Sequence, residues 1–208
     1  PGDVDTSMPT AEEFARHAIR RSLNALGIAY LKDIAYGSRY VKTSIKTELE
    51  KLVNEGEVVR VEVNEVNGAS LYMLSKYKRK KIKLSGDVFI LSPFDVLNVY
   101  RHRLKTFFDF DYQVECFLPQ AKRKYGYFFL PVLVGETFIA RMDAKADRKR
   151  GILAVNNLHF VPIKLTKTMT VKLADAIKAF ARFNQCTITV IKKSNDKVLL
   201  KKIEQALT

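Results

Sequence analysis

The chain has 208 residues, with 36 Lys and Arg against 22 Asp and Glu, a formal charge of +14. Hydrophobic residues make up 47%; that much apolar material can offset chain entropy, which excludes global disorder, and the length suits one large domain or two small ones. No apolar run approaches the ~18 residues of a membrane span, and the acidic start Pro1-Gly2-Asp3-Val4-Asp5 is not a secretory signal.

In chain order, Thr10-Ala11-Glu12-Glu13 is a capping-box pattern. It predicts a helix over 11–26, with Phe14, Ala18, Ile19, Leu23, Ala25 and Leu26 as its apolar positions and Gly27 just past its end. A short helix is expected over 31–36, ending at Gly37. A third fits 41–54, with Ile45, Leu49, Leu52 and Val53 on the buried stripe. Val58 to Val63 reads as a strand, Asn67-Gly68 as a hairpin turn, and Ala69 to Leu74 as the returning strand. Helix, short helix, helix, hairpin is the order of a winged helix-turn-helix, whose third helix can enter a major groove. A small α+β module that binds protein has the same order.

The third helix presents Lys42, Thr43, Lys46 and Thr47 opposite its apolar stripe. Lys and Thr suit phosphate oxygens. The absence of Arg, Asn or Gln there, and the acids Glu48, Glu50 and Glu55, argue against sequence-specific readout. Packing against another domain is as ready a reading as groove insertion. Lys76, Lys78, Arg79, Lys80, Lys81 and Lys83 then give six positive charges without an acid, a basic linker that is either solvated or in contact with phosphate.

Beyond the linker, Val88 to Leu91 is strand-like and a helix is expected over 94–106. Strands are expected over 112–118, 126–134, 137–144 and 152–161. A helix over 168–184, a strand over 187–191 and a helix over 195–207 complete the chain. The fold class predicted is α+β: a winged helix-turn-helix over 1–75, a basic linker over 76–86, and over 87–208 an antiparallel β-rich, partly closed barrel-like domain with added helices.

Residues 1–84 carry 15 basic and 11 acidic residues, and residues 85–208 carry 21 and 11. Most of the excess charge is therefore outside the winged helix. A pI near 9.7 favours a polyanion, nucleic acid or anionic lipid, as partner. Arg148-Lys149-Arg150 and Lys122-Arg123-Lys124 are the best phosphate-contact runs, because no acid interrupts them; Arg101 and Arg103 flank His102 and join the candidates. Arg141, Asp143, Lys145 and Asp147 alternate onto one strand face, with Phe138, Ala140 and Met142 on the other, and read as a ladder of ion pairs, with a polyanion-binding strip as the competing reading. Cys116 and Cys186 lack a CxxC partner and fit a reducing cytoplasm, and His17, His102 and His159 lack metal-ligand spacing. No metal or cofactor is expected.

Several segments together resemble one family. They are Leu91-Ser92-Pro93-Phe94-Asp95, Tyr100-Arg101-His102-Arg103, Phe108-Asp109-Phe110-Asp111-Tyr112, Glu115, Pro119, Lys122 to Tyr127, Leu130-Pro131-Val132-Leu133, Arg141-Met142-Asp143 and Lys145-Ala146-Asp147-Arg148. They resemble the C-terminal region of the bacterial winged-helix DNA glycosylases that unhook interstrand crosslinks, the AlkZ-like and YcaQ-like family. Leu26 to Ala29 and Leu52 to Glu57 fit that family's last winged-helix module, and 150–208 matches only in general character. The resemblance implies a larger parent with tandem winged helices, double-stranded DNA as partner, and hydrolysis of the N-glycosidic bond of alkylated purines. The family's Gln-hydrophobic-Gln or Gln-hydrophobic-Asp motif, a polar group that orients water against a cationic base, belongs to the first module and is not matched. Gln113-Val114-Glu115 mimics it in the wrong place. The expectation is a duplex-DNA-binding C-terminal fragment without the catalytic motif, beginning downstream of the natural start since residue 1 is Pro, with the upstream winged helices as partners. The alternatives are a transcription regulator and a domain-packing interaction module.

Overall fold

The computed structural model describes residues 7–36, 42–64, 66, 68, 70–79 and 81–207. Thr10 opens the first helix as the sequence predicts. Its hydroxyl accepts from Glu13 N–H at 3.2 Å, while the Glu13 carboxylate accepts from Thr10 N–H at 2.8 Å. Helix α1 (Ala11–Leu26) buries Ala15, Ile19 and Leu23 and ends at Gly27, whose φ of 71° suits glycine. Phe14, expected on the apolar side, is 43% exposed. A short strand that the sequence did not signal, β1 (Ile28–Tyr30), precedes α2 (Leu31–Ile34), and α3 (Lys42–Asn54) follows. The predicted end of α2 at Gly37 lies outside the described residues.

Strands β2 (Val58–Val61) and β3 (Leu71–Leu74) form the hairpin, and β1 adds to β3 in antiparallel register, giving the order β1-β3-β2. Ile19, Leu23, Ile45, Leu49, Leu52, Val58 and Leu74 make one core. The helices and hairpin follow the predicted order, and β1 adds a third strand to the small sheet.

The chain divides into two compact units, Pro1–Ile82 and Lys83–Thr208. Tyr77, within the expected linker, packs on the first unit's core and donates to Asn24 Oδ1 at 2.8 Å.

In the second unit, β4 (Val88–Ile90) leads to α4 (Val96–Val99) and α5 (Arg101–Phe108). One helix was expected here. It breaks at Tyr100 (φ −93°, ψ 70°), where Asn98 is buried and donates to Ser92 O. The strand expected over 112–118 is not formed. Phe110 and Tyr112 are instead drawn into an aromatic cluster with Leu104, Phe129 and Phe138. Then come β5 (Phe129–Val134), β6 (Thr137–Asp147), β7 (Ile152–Phe160), α6 (Lys167–Phe183), β8 (Ile188–Ile191) and α7 (Lys197–Leu207).

The sheet runs β4-β5-β6-β7-β8 as a curled half-barrel. Its pairs are antiparallel except β7–β8, which is parallel. A parallel neighbour needs a long crossover, and α6 with its 17 residues supplies it. One sheet face packs against Leu173, Ala174, Ile177 and Ala181 of α6 and Ile203 of α7. No helix among the described residues is long and apolar enough to cross a membrane.

Candidate nucleic-acid interface

The face of β6, β7 and β8 turned away from α6 carries the charge. Cross-strand register builds it in rows: Asp147, Ile152 and Ile188, then Lys145, Ala154 and Val190. A bulge in β7, where Asp143 opposes Asn157 and Ala144 opposes Val155, inserts Asn156 as an extra residue. Lys192, just past β8, donates to Asn156 Oδ1 at 2.9 Å.

These residues and the β6–β7 turn form a groove of about 560 Å³ with Ile152, Ala154 and Val190 among its lining and Lys145, Arg148, Lys149, Arg150 and Lys192 around it. Asp147 is the acid there. Its carboxylate accepts from Arg150 N–H at 3.1 Å and lies 3.7 Å from the Arg150 guanidinium, which shapes the turn and leaves Arg148 and Lys149 without a carboxylate partner among the described residues.

A second cleft of about 310 Å³ shares Asn156 with the groove. It is lined by Arg123, Lys124, Asp143, Asn157 and Lys193, among others. Its loop is held by Glu115, which is buried; one carboxylate oxygen accepts from Lys124 N–H at 3.1 Å, the other from Tyr125 N–H at 2.8 Å and Gly126 N–H at 3.1 Å. Arg123 is half-buried, donating to Leu118 O at 2.9 Å and lying over the Tyr127 ring. Gly126 has no room for a side chain, since a Cβ there would stand 2.4 Å from Asp143 Cγ. The Gln113-Val114-Glu115 segment is thereby structural, because three backbone donors occupy its carboxylate.

The expected ion-pair ladder is not formed. Arg141, Asp143, Lys145 and Asp147 do share a face, opposite Met142, Ala144 and Ala146 in the α6-facing core. Arg141, however, is buried between the rings of Phe110 and Tyr125, 4.1 and 4.5 Å from their centroids, and donates to Asp111 O at 2.8 Å. No ion pair joins it to Asp143. Phe138 also departs from the expected face. The bulge between Val132 and Leu133 pairings turns it into the aromatic cluster, where it stacks on Phe110. Burial pushes the Tyr112 hydroxyl up to about 12 and holds the Arg141 guanidinium below its ordinary value. His159, in edge contact with Tyr125, is held below the ordinary imidazole value by burial first and then by Arg141, Lys124 and Lys193.

The candidate contact residues fall into four groups. Lys122, Lys124, Arg148, Lys149 and Arg150 are exposed, and Arg123 is half-buried; of these six, all but Lys122 line the groove or the cleft. Thr43, Lys46 and Thr47 are exposed on α3, and Lys78, Arg79, Lys81 and Arg101 are exposed elsewhere. Arg103 is withdrawn: it is buried at 6% exposure with its guanidinium over the Phe107 ring, so a phosphate cannot reach it. Lys80 and the Lys42 side chain lie outside the described residues. Lys145 belongs to the competing polyanion-binding strip, whereas Lys192, Lys193 and Asn156 are lining residues that sequence reasoning missed. The signal for Lys192-Lys193 was its place directly after an apolar strand. Among the described residues no group of His, Cys, Asp and Glu could hold a metal ion.

The α3 acids are already used. Arg16 donates to Glu48 at 2.8 Å and to Glu55 at 2.7 Å, Arg20 to Glu57 at 2.7 Å, and Lys51 pairs with Glu48 at 2.6 Å. Glu50, on the outer side of α3, pairs with Arg60 of β2.

Two α+β units, the second with a curled half-barrel sheet and a cationic open face, define the class of protein. The family model for AlkZ-like DNA glycosylases matches residues 1–183, and the chain belongs to that family. Its fold is similar to that of Streptomyces sahachiroi DNA glycosylase AlkZ, with a TM-score of 0.55 and 15% identity over 90% of this chain and 47% of that one. The chain thus spans about half the length of that solved structure.

Proposed function

We propose that this chain is the duplex-gripping, C-terminal part of a winged-helix DNA repair glycosylase-like protein of bacterial, cytoplasmic type, and that bond cleavage belongs to polypeptide outside this sequence. The observation that carries this reading is the pair of neighbouring clefts that share Asn156, one lined by Arg148, Lys149, Arg150 and Lys192 and the other by Arg123, Lys124 and Lys193. Lys and Arg around two neighbouring clefts suit phosphates in series, and contacts of that kind give affinity without sequence preference. The α3 residues Thr43, Lys46 and Thr47, with Lys42, would supply further phosphate contacts, since Glu48 and Glu50 of that helix are tied to Arg16, Lys51 and Arg60. Family membership supports a role in DNA repair. The unmatched Gln-hydrophobic-Gln or Gln-hydrophobic-Asp motif and the half-length span support the absence of chemistry from this chain.

Fluorescence anisotropy with unrelated duplexes of equal length, at several salt concentrations, tests the reading. Similar affinities that fall steeply with salt are expected, and no base release from alkylated duplex. No affinity for any duplex at low salt would remove the DNA-binding assignment. Selection of one palindromic sequence would favour a transcription regulator instead. The upstream winged-helix modules are the proposed protein partners, and Phe94 at 80% and Phe117 at 90% exposure are apolar surface for them to cover.

A further inference from the structure

The five-stranded sheet has two edges, and they are finished differently. β4 is three residues long, with the charge of Asp87 immediately before it and Lys172 of α6 donating to Gly86 O at 2.8 Å. Short strands and charges are devices that keep an edge from pairing. β8, at the other edge, has neither inside its span. Ile188-Thr189-Val190-Ile191 is β-branched throughout, and its register on β7 runs from Ile152↔Ile188 to Val155↔Ile191 without a bulge. Ile188 N–H donates to Gly151 O at 3.0 Å and Lys192 N–H to Val155 O at 2.8 Å, so the N–H groups of Thr189 and Ile191 point out of the sheet. No strand among the described residues pairs with that side of β8. On the groove face, Ile188 and Val190 are 52% and 44% exposed.

An open ladder with exposed apolar side chains beside it fits an added strand, whose main chain supplies the hydrogen bonds and whose alternate side chains supply the selectivity. Charge chooses which strand. Arg148 donates to Asn184 Oδ1 at 3.4 Å, just before β8 begins, and Lys192 follows its end. The row Lys145-Ala154-Val190 adds a third cation on the same face. A second copy of this chain would set the same cations against their own kind, on a chain of formal charge +14. We infer that β8 takes up an extended segment of a partner protein, apolar at the alternate positions beside Ile188 and Val190 and acidic at both ends, toward Arg148 and Lys192. This goes beyond the DNA reading and does not depend on it.

Anisotropy of fluorescein-labelled peptides titrated with the full chain tests this. One probe alternates Val and Thr between terminal Glu pairs, and its counterpart ends in Lys pairs. The Glu-ended probe should bind, with the Lys-ended one about tenfold weaker. On binding, the Thr189 and Ile191 amides should slow in hydrogen exchange, because they become donors to the added strand. Thr189→Pro removes an outward N–H and leaves the bonds to β7 in place, a position where an edge strand tolerates proline; it should weaken the Glu-ended probe about tenfold. Ile188→Asp sets a charge against the probe's Val and should do the same, which keeps the test decisive if Thr189→Pro lowers the thermal melt. Absence of binding, equal binding of the two probes, no added protection at Thr189 and Ile191, or binding unchanged in both variants would overturn the inference. So would a concentration-dependent dimer that Thr189→Pro dissolves, since β8 would then belong to a second copy.

Discussion

Glu115 shows how one side chain holds a candidate interface without touching a ligand. Its carboxylate accepts from three consecutive backbone amides, Lys124 to Gly126, and so fixes the loop that carries Arg123 and Lys124. Charge-assisted bonds to buried donors are strong, and their loss leaves the donors unpaired. Glu115→Ala should therefore cost about 2–3 kcal/mol in urea unfolding and weaken duplex binding although no phosphate contact is removed. His159 gives a titration at the same scale. It is held below 6.5 by burial and by the cations Arg141, Lys124 and Lys193. The unfolded chain takes up this proton before the folded one does, so the contribution of His159 to stability is complete above pH 6.5 and is lost as pH falls through the folded value. An NMR titration of the imidazole should place its midpoint below 6.5, and a midpoint at or above that value would contradict the packing described.

At the scale of elements, α1 and α3 are joined by an apolar seam and an ion-pair network beside it. Glu48 is held below its ordinary value of 4.5 chiefly by Lys51, with Arg16 adding to it, Glu55 by Arg16 and Glu57 by Arg20. Carboxylates stabilised in this way contribute above pH 4.5 and cease to contribute as pH falls through their folded values. The urea midpoint, followed by circular dichroism, should drop as the solution is acidified between about pH 5 and pH 3, and Glu48→Gln should flatten that drop. High salt should blunt the contribution of the half-exposed Glu55 and Glu57 more than that of buried Glu48. The α1 capping box was legible because its partners are three residues apart. The network was not, because Arg16 and Arg20 of α1 find acids on α3 or the loop after it, and spacing along the chain does not specify such a meeting. The same limit accounts for Arg141: an alternating strand pattern predicts its face correctly, but its partners Phe110 and Tyr125 come from irregular segments with no period to read.

For the whole molecule, the decisive quantity is where the excess positive charge stands. Charge reversal at Arg148, Lys149 and Arg150 together should lower duplex affinity at low salt by more than tenfold and reduce the salt slope by about three. Lys46→Glu on α3 should have a smaller effect, because one phosphate contact is then at stake. Equal losses from the two changes would move the interface toward the first unit. By itself the sequence determined the α+β class, the order of the first unit's helices and hairpin, and the excess charge in the second half. These follow from composition, period and capping, which are local properties of the chain. Tertiary structure alone decided which charges act together. Cross-strand register, the β7 bulge and the parallel return of β8 bring Lys145, Asn156, Lys192 and Arg148 to one groove, while Arg103 is buried with its guanidinium over the Phe107 ring. Pairing between distant strands sets those positions, and no local pattern encodes it.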